Sequence, residues 1–187
     1  TDAAALGVDV ISTSAYKWYG PHAGALCVRN NLLREVEPYR VRPADYDGPP
    51  RWETGTAQIE VLAGIAAAAE FMLSTPLSAE SERETHLLAM LQEGLSEVSG
   101  VTVVGPSVTP NRAPTLVFTV AGHHPDAVAE FLASRRIAVW SGDNYACELV
   151  DALGLRATGG VVRAGVVRYT TREDVAALLG ALAELTA

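Results

Sequence analysis

One lysine constrains this chain more than any other feature. Lys17 stands alone among thirteen arginines. It lies in the string Ser12-Thr13-Ser14-Ala15-Tyr16-Lys17-Trp18-Tyr19-Gly20-Pro21-His22-Ala23-Gly24, flanked by the apolar runs Val8-Asp9-Val10-Ile11 and Ala25-Leu26-Cys27-Val28. Two near-continuous apolar runs joined across a Gly-Pro turn predict neighbouring strands, Asp9 to Thr13 and Gly24 to Arg29, in a mostly buried sheet. A lysine at such a strand end is either a solvated surface residue or a partly desolvated amine that loses its proton and attacks a carbonyl carbon. Its neighbours suit the second role. Small hydroxyl residues before it can hydrogen-bond a phosphate, aromatics on both sides can wall a ring, and glycines let backbone approach closely.

Of the 187 residues, 49% are apolar, which is enough to build one core or two small lobes. The formal charge of −8 points away from nucleic acid or an anionic membrane surface as a partner. No apolar run approaches the length of about eighteen residues that a membrane span needs. Residues 1–5 carry neither an initiator methionine nor the basic start of a signal peptide, so the chain is expected to begin inside a longer protein. Cys27 and Cys147 are too few for a disulfide framework and lack zinc-site spacing, which fits a reducing cytoplasm and no metal.

Along the chain, residues 2 to 7 read as the tail of a helix closed by Gly7. The segment from Asn30 to Pro50, rich in Pro, Arg and Tyr and ending in Asp47-Gly48-Pro49-Pro50, reads as a long functional or disordered loop. After Arg51-Trp52-Glu53-Thr54-Gly55-Thr56, an apolar helix is expected over Ala57 to Leu73 with Thr56 as its cap, and its N-terminus could serve as an anion site. Ser74-Thr75-Pro76 breaks that helix and marks a lobe boundary, giving regions 1–76 and 77–187. The second region predicts a charged amphipathic helix from Ser78 to about Ser99, strands Val101 to Val104 and Thr115 to Val120, and helix Pro125 to Ser134. Strands Ile137 to Trp140 and Val161 to Tyr169 and a last helix, Arg172 to Leu185, complete an α+β layer with its helices on one face.

The string S-A-Y-K-W-Y-G-P-H-A-G resembles the pyridoxal-phosphate lysine segment of class V, fold-type I enzymes, the cysteine desulfurase and aminotransferase class V group. That segment reads roughly S-x-H-K-x-x-G-P-x-G. Tyr16 stands where the desulfurases usually have a phosphate-holding histidine. The resemblance implies an α/β fold: residues 1–76 would be the end of the large cofactor domain and residues 77–187 the small C-terminal α+β domain. It implies pyridoxal 5'-phosphate as cofactor, with Ser14, Tyr16 and Lys17 holding it. Lys17 would form the Schiff base and act as general base. The string R-W-E-T-G-T is similar to the family's E-x-G-T, whose Gly-Thr reaches the cofactor phosphate of the other subunit. That places Gly55 and Thr56 in a homodimer with shared active sites.

Arg163, in Val161-Val162-Arg163-Ala164-Gly165, reads from alternation alone as an edge-strand arginine on a wet face or as a fork for a carboxylate. The family's V-R followed by Y-N-T, for which Tyr169-Thr170-Thr171 stands in, implies that Arg163 holds the α-carboxylate of an amino-acid substrate and that Arg168 is structural. Desulfurases resemble I-A-V-R-x-G-x-x-C-A-x-x-L where this chain has Ile137-Ala138-Val139-Trp140-Ser141-Gly142-Asp143-Asn144-Tyr145-Ala146-Cys147-Glu148-Leu149. Trp140 takes the arginine's place and Tyr145 the cysteine's. Cys147 falls two positions later, expected on the same short helix and rotated by roughly 200°. Glu148 and Asp143 are expected to raise its pKa. W-S-G-D-N-Y-A-x-E-L, with P-Y-R-V-R-P-A upstream, is similar to a cysteine desulfurase-like subgroup without that cysteine. Three readings stay open: a desulfurase or C–S lyase, a thiol-free aminotransferase or epimerase, and a catalytically silent dimerisation domain.

Overall fold

Gly7, at a φ of 65° that costs glycine nothing, ends the short helix α1 (Ala3–Leu6) and sends the chain into strand β1 (Val10–Ser14). The computed structural model describes residues 3–43, 47–53, 55–110 and 112–187; Asp2, Ala44 and Thr54, which belong to segments singled out above, lie outside them. These residues form two compact units, Thr1–Pro76 and Leu77–Ala187.

In the first unit β1 pairs antiparallel with β2 (Gly24–Val28), in register from Val10 opposite Val28 to Ser14 opposite Gly24. The expected pairing is present, but the strands are not mostly buried: Val10 and Leu26 are exposed, because no layer of described residues lies over them. Residues 30–50 are not simply a loop. Helix α2 (Asn30–Glu35) follows β2, and a 3-10 turn, Pro49–Trp52, precedes helix α3 (Ile59–Leu73). Arg51 organises this stretch. It is buried and donates to the Val36 carbonyl at 2.7 Å and to Glu37 Oε2 at 3.0 Å, while Arg40 holds the same carboxylate at 3.1 Å. A buried guanidinium is tolerable only with such partners.

The second unit opens with α4 (Leu77–Glu97). A four-stranded antiparallel sheet follows, in the order β3 (Val101–Val104), β4 (Thr115–Val120), β6 (Val161–Gly165), β5 (Trp140–Gly142). Strict alternation in β4 turns Leu116, Phe118 and Val120 into the core and Thr115, Val117 and Thr119 away from it. The core face is covered by α4, by α5 (Pro125–Ser134) and by α7 (Arg172–Leu185), through Leu88, Leu91 and Leu95, Val128 and Leu132, and Leu178 and Leu182. Helix α6 (Cys147–Ala152) lies between β5 and β6. Helix α7 begins with a reciprocal cap, Thr171 accepting from the Asp174 N–H and Asp174 from the Thr171 N–H.

Two strands differ from expectation. Strand β5 starts at Trp140, not Ile137, because Arg136 takes a left-handed φ of 61° and the Ile137 N–H still bonds back to the Leu132 carbonyl, closing α5. Strand β6 stops at Gly165, not Tyr169. There the Thr170 hydroxyl accepts from the Val167 N–H, and Arg83 gathers the carbonyls of Val167 (3.0 Å), Arg168 (2.5 Å) and Thr170 (2.8 Å) into a turn.

Candidate functional site

The lysine turn grows directly from β1. Ser14 precedes a 3-10 turn, Ala15–Trp18, that ends on Tyr19 at a φ of 71°. Ala15 is fully buried, its N–H bonds to the Ala23 carbonyl at 2.8 Å, and its carbonyl accepts from the Gly20 N–H at 2.8 Å. The turn is also pinned by Trp18 Nε1, which donates to Thr13 Oγ1 at 3.1 Å. Helix α3 supports it from outside: Tyr19 meets Phe71 edge to face at 5.2 Å, and Gly64 faces Pro21 so closely that an added methyl would lie 3.3 Å away.

Lys17 itself is exposed, with Nζ 5.8 Å from the Tyr16 ring centroid. The expected desolvation is therefore not built from the described residues, because the 3-10 turn carries the side chain off the end of the strand pair and only one ring flanks it. Among the described residues no carboxylate pairs with it. Tyr16 is half exposed and stacks on His22, ring centroids 5.1 Å apart. His22 drew no attention in the sequence beyond its place in the motif; its stacking on Tyr16 is visible only in the fold.

Gly55 and Thr56 line a separate open cavity of about 940 Å³ together with His22, Gly24, Glu53 and Ile65, and Lys17 is not among its lining residues. Thr56 does not cap α3. The helix begins at Ile59 with Gln58 at the cap position, and no side chain caps it, so the first free N–H groups lie beyond Thr56. Gly55 has a φ of 91°, open to glycine alone without strain, and nothing stands within 4 Å of where its Cβ would be.

Arg163 is not on an edge strand. Strand β6 lies between β4 and β5, and Arg163 sits opposite Val117 on one side and Trp140 on the other. Its exposed side chain points away from the helices, and no carboxylate pairs with it among the described residues. Other arginines of this unit are committed to acids, Arg168 and Arg83 to Glu80 and Arg135 to Glu184.

The loop after β5 is held in an unusual shape. Gly142, Asn144 and Tyr145 all have positive φ, at 101°, 54° and 64°. Asp143 Oδ1 accepts from the Tyr145 N–H at 3.0 Å, and Asn144 Nδ2 donates to the Gly142 carbonyl at 3.1 Å. Gly160 presses so near that an added Cβ would lie 2.4 Å from the Gly142 carbonyl oxygen. Tyr145 is thereby presented to solvent, 95% exposed. It lies before α6, not on it, so the expected helical rotation between Tyr145 and Cys147 does not apply. Cys147 Sγ instead donates to Asp143 Oδ2.

The aminotransferase class-V family model matches residues 1–178. A probable cysteine desulfurase of Xylella fastidiosa is 30% identical over 193 residues, covering 97% of this chain and 45% of that protein. Among solved structures, the apo cysteine desulfurase of Thermococcus onnurineus superposes with a TM-score of 0.86 at 30% identity, over 98% of this chain and 48% of the other. An Escherichia coli cysteine desulfurase gives 0.83 at 26% identity, over 99% and 48%. The chain spans about half the length of the relatives it matches. On these grounds the chain belongs to the aminotransferase class-V family.

Proposed function

We propose that this chain is the C-terminal portion of a pyridoxal-phosphate-dependent, cysteine desulfurase-like enzyme acting on an amino acid. Residues 1–76 are then the end of the large cofactor domain and residues 77–187 the small α+β domain. The observation that carries the reading is Lys17, the chain's single lysine, held on a doubly anchored turn at a strand end with its amine paired to no described carboxylate. The donor set fits the cofactor. An amine is available for its carbonyl carbon, and the hydroxyls of Ser14, Tyr16 and Thr56 with the backbone of Gly55 suit its phosphate. The exposed apolar side chains of β1 and β2 are what the remainder of a large domain would cover.

Pyridoxal phosphate, when bound, supplies the electron sink for bond breaking at the substrate Cα. Lys17 Nζ would hold the cofactor through its carbonyl carbon and would serve as the base that takes the Cα proton of the amino acid and returns it. Arg163 orients the amino acid by gripping its α-carboxylate with two parallel N–H donors. Gly55 and Thr56 bind the phosphate held by the other subunit, which makes the enzyme a homodimer with shared sites. Their cavity, which Lys17 does not line, supports that division.

Cys147 favours a second reading of the chemistry. A desulfurase needs a thiolate at an accessible loop. Here the hydrogen bond to Asp143 pushes the Cys147 thiol above its ordinary pKa, and the exposed side chain of the loop is a phenol. Aminotransferase or epimerase chemistry without a cysteine nucleophile accommodates both facts. The test is Lys17→Ala in the full-length protein. Because Lys17 is exposed, the melting temperature should match that of cofactor-free wild type, while cofactor absorbance and amino-acid turnover disappear. A wild-type protein that takes up no cofactor and turns over no amino acid would leave a silent dimerisation domain in its place.

A further inference from the structure

We infer that Trp140 selects the side-chain class of the amino acid held at Arg163, favouring apolar and aromatic side chains and rejecting acidic ones. This rests on the carboxylate-gripping role proposed for Arg163. The register places Val104, Val117, Arg163 and Trp140 in one row across all four strands, on the face turned away from α4, α5 and α7. Directly opposed residues of an antiparallel pair have Cβ atoms only about 4.5–5.5 Å apart. An amino acid anchored on the guanidinium therefore carries its Cα substituent over one of the two adjoining strands.

Those two neighbours differ. On β4 stands Val117, half-buried and small; on β5 stands Trp140, 58% exposed, a wide ring left in solvent beside an exposed cation. An indole in that position offers apolar area that an apolar or aromatic side chain can cover. The row holds no second cation, so the carboxylate of an acidic side chain would lose water against the indole with no partner to replace it. Discrimination of this kind reaches about tenfold or more for modest differences in apolar contact. The loop that follows supports a built wall: Asn144 and Tyr145 hold strained left-handed conformations, fixed by Asp143 and by the close approach of Gly160 to the Gly142 carbonyl.

The experiment is calorimetric binding of α-methylphenylalanine, α-methylleucine, 2-aminoisobutyrate and α-methylaspartate to the full-length, cofactor-loaded protein; these probes lack the Cα hydrogen and report binding without proton abstraction. The wild type should bind α-methylphenylalanine and α-methylleucine about tenfold or more tighter than 2-aminoisobutyrate, and α-methylaspartate weakest. Trp140→Ala should erase the preference with little change for 2-aminoisobutyrate, Trp140→Phe should retain most of it, and Arg163→Ala should weaken every probe. A wild type that prefers α-methylaspartate, or a Trp140→Ala protein with the wild-type order, overturns the inference while the Arg163 arm still stands. Probe affinities unchanged in Arg163→Ala overturn the underlying carboxylate role instead.

Discussion

Cys147 Sγ donates a 3.0 Å hydrogen bond to Asp143 Oδ2. The bond acts on both groups. It is the largest cause of the raised thiol pKa and of the lowered Asp143 pKa, with Arg156 opposing it at the thiol. The sequence expectation of a raised thiol is met by Asp143; the adjacent Glu148 is not among the causes.

A raised thiol pKa means that thiolate is scarcer near neutral pH than for an ordinary cysteine, so alkylation of the Cys147 peptide should be slow and its pH midpoint displaced upward. Asp143→Asn removes the largest cause and should move that midpoint down. Mass spectrometry of iodoacetamide labelling across pH checks this; equal midpoints in the two proteins would contradict it. Because so poor a nucleophile is not expected to carry the reaction, Cys147→Ser should leave turnover within about threefold of wild type, a barrier change well under about 1.4 kcal/mol. A persulfide trapped on Cys147, with activity lost on substitution, would restore the desulfurase chemistry.

How much the sequence disclosed depended on whether local and tertiary signals agreed. The expected bounds of β4 and α7 coincide with the observed ones, where the structure shows the alternation of Leu116, Phe118 and Val120 and the Thr171 and Asp174 cap agreeing with the core. Helix α2 was not legible, because six residues between an apolar strand and a proline- and arginine-rich segment give too little periodicity. Nor was the start of β5, where a left-handed Arg136 lets α5 keep the Ile137 N–H. The turn after β6 depends on Arg83, 84 residues away from Val167, which no local pattern reveals. At the candidate site, the residues carried by the motif were readable by type. The exposure of Lys17, the stacking of His22 on Tyr16 and the central position of Arg163 came from packing and strand order alone.

The lysine turn should be sensitive at Gly20. A Cβ there would lie 2.9 Å from Ala15 Cβ and 3.0 Å from the Ala15 carbonyl oxygen, and Ala15 is fully buried, so neither can yield. Gly20→Val should cost about 1–3 kcal/mol and loosen cofactor retention. Gly180→Ala is the control: it lies within α7 with nothing within 4 Å of the new methyl, and should stabilise by about 0.5–1 kcal/mol. Denaturant titration of both variants checks the pair; an unaffected Gly20→Val would mean that the turn tolerates displacement.

Sharing of sites between subunits has a sharper test than dimer mass. Thr56→Ala should weaken phosphate retention by about 1.5–3 kcal/mol through loss of one charge-assisted hydrogen bond. If Thr56 serves the other subunit, a hybrid of one Lys17→Ala and one Thr56→Ala protomer contains one intact site and should recover about half of wild-type activity, because one of two sites is whole. If both residues serve the same subunit, no hybrid site is whole, and activity should stay at about half the level of the Thr56→Ala dimer, because the Lys17→Ala site contributes none.

The central claim is that Lys17 carries the cofactor, and its solitude makes that directly measurable: no other lysine in this chain can take its place. The full-length protein is purified with pyridoxal phosphate, reduced with borohydride, digested and mapped by mass spectrometry. The account predicts one modified peptide, spanning residues 12–24, carrying the reduced cofactor on Lys17, and none in Lys17→Ala. Cofactor found on a lysine outside this chain, or a protein that binds none after reconstitution, would contradict it.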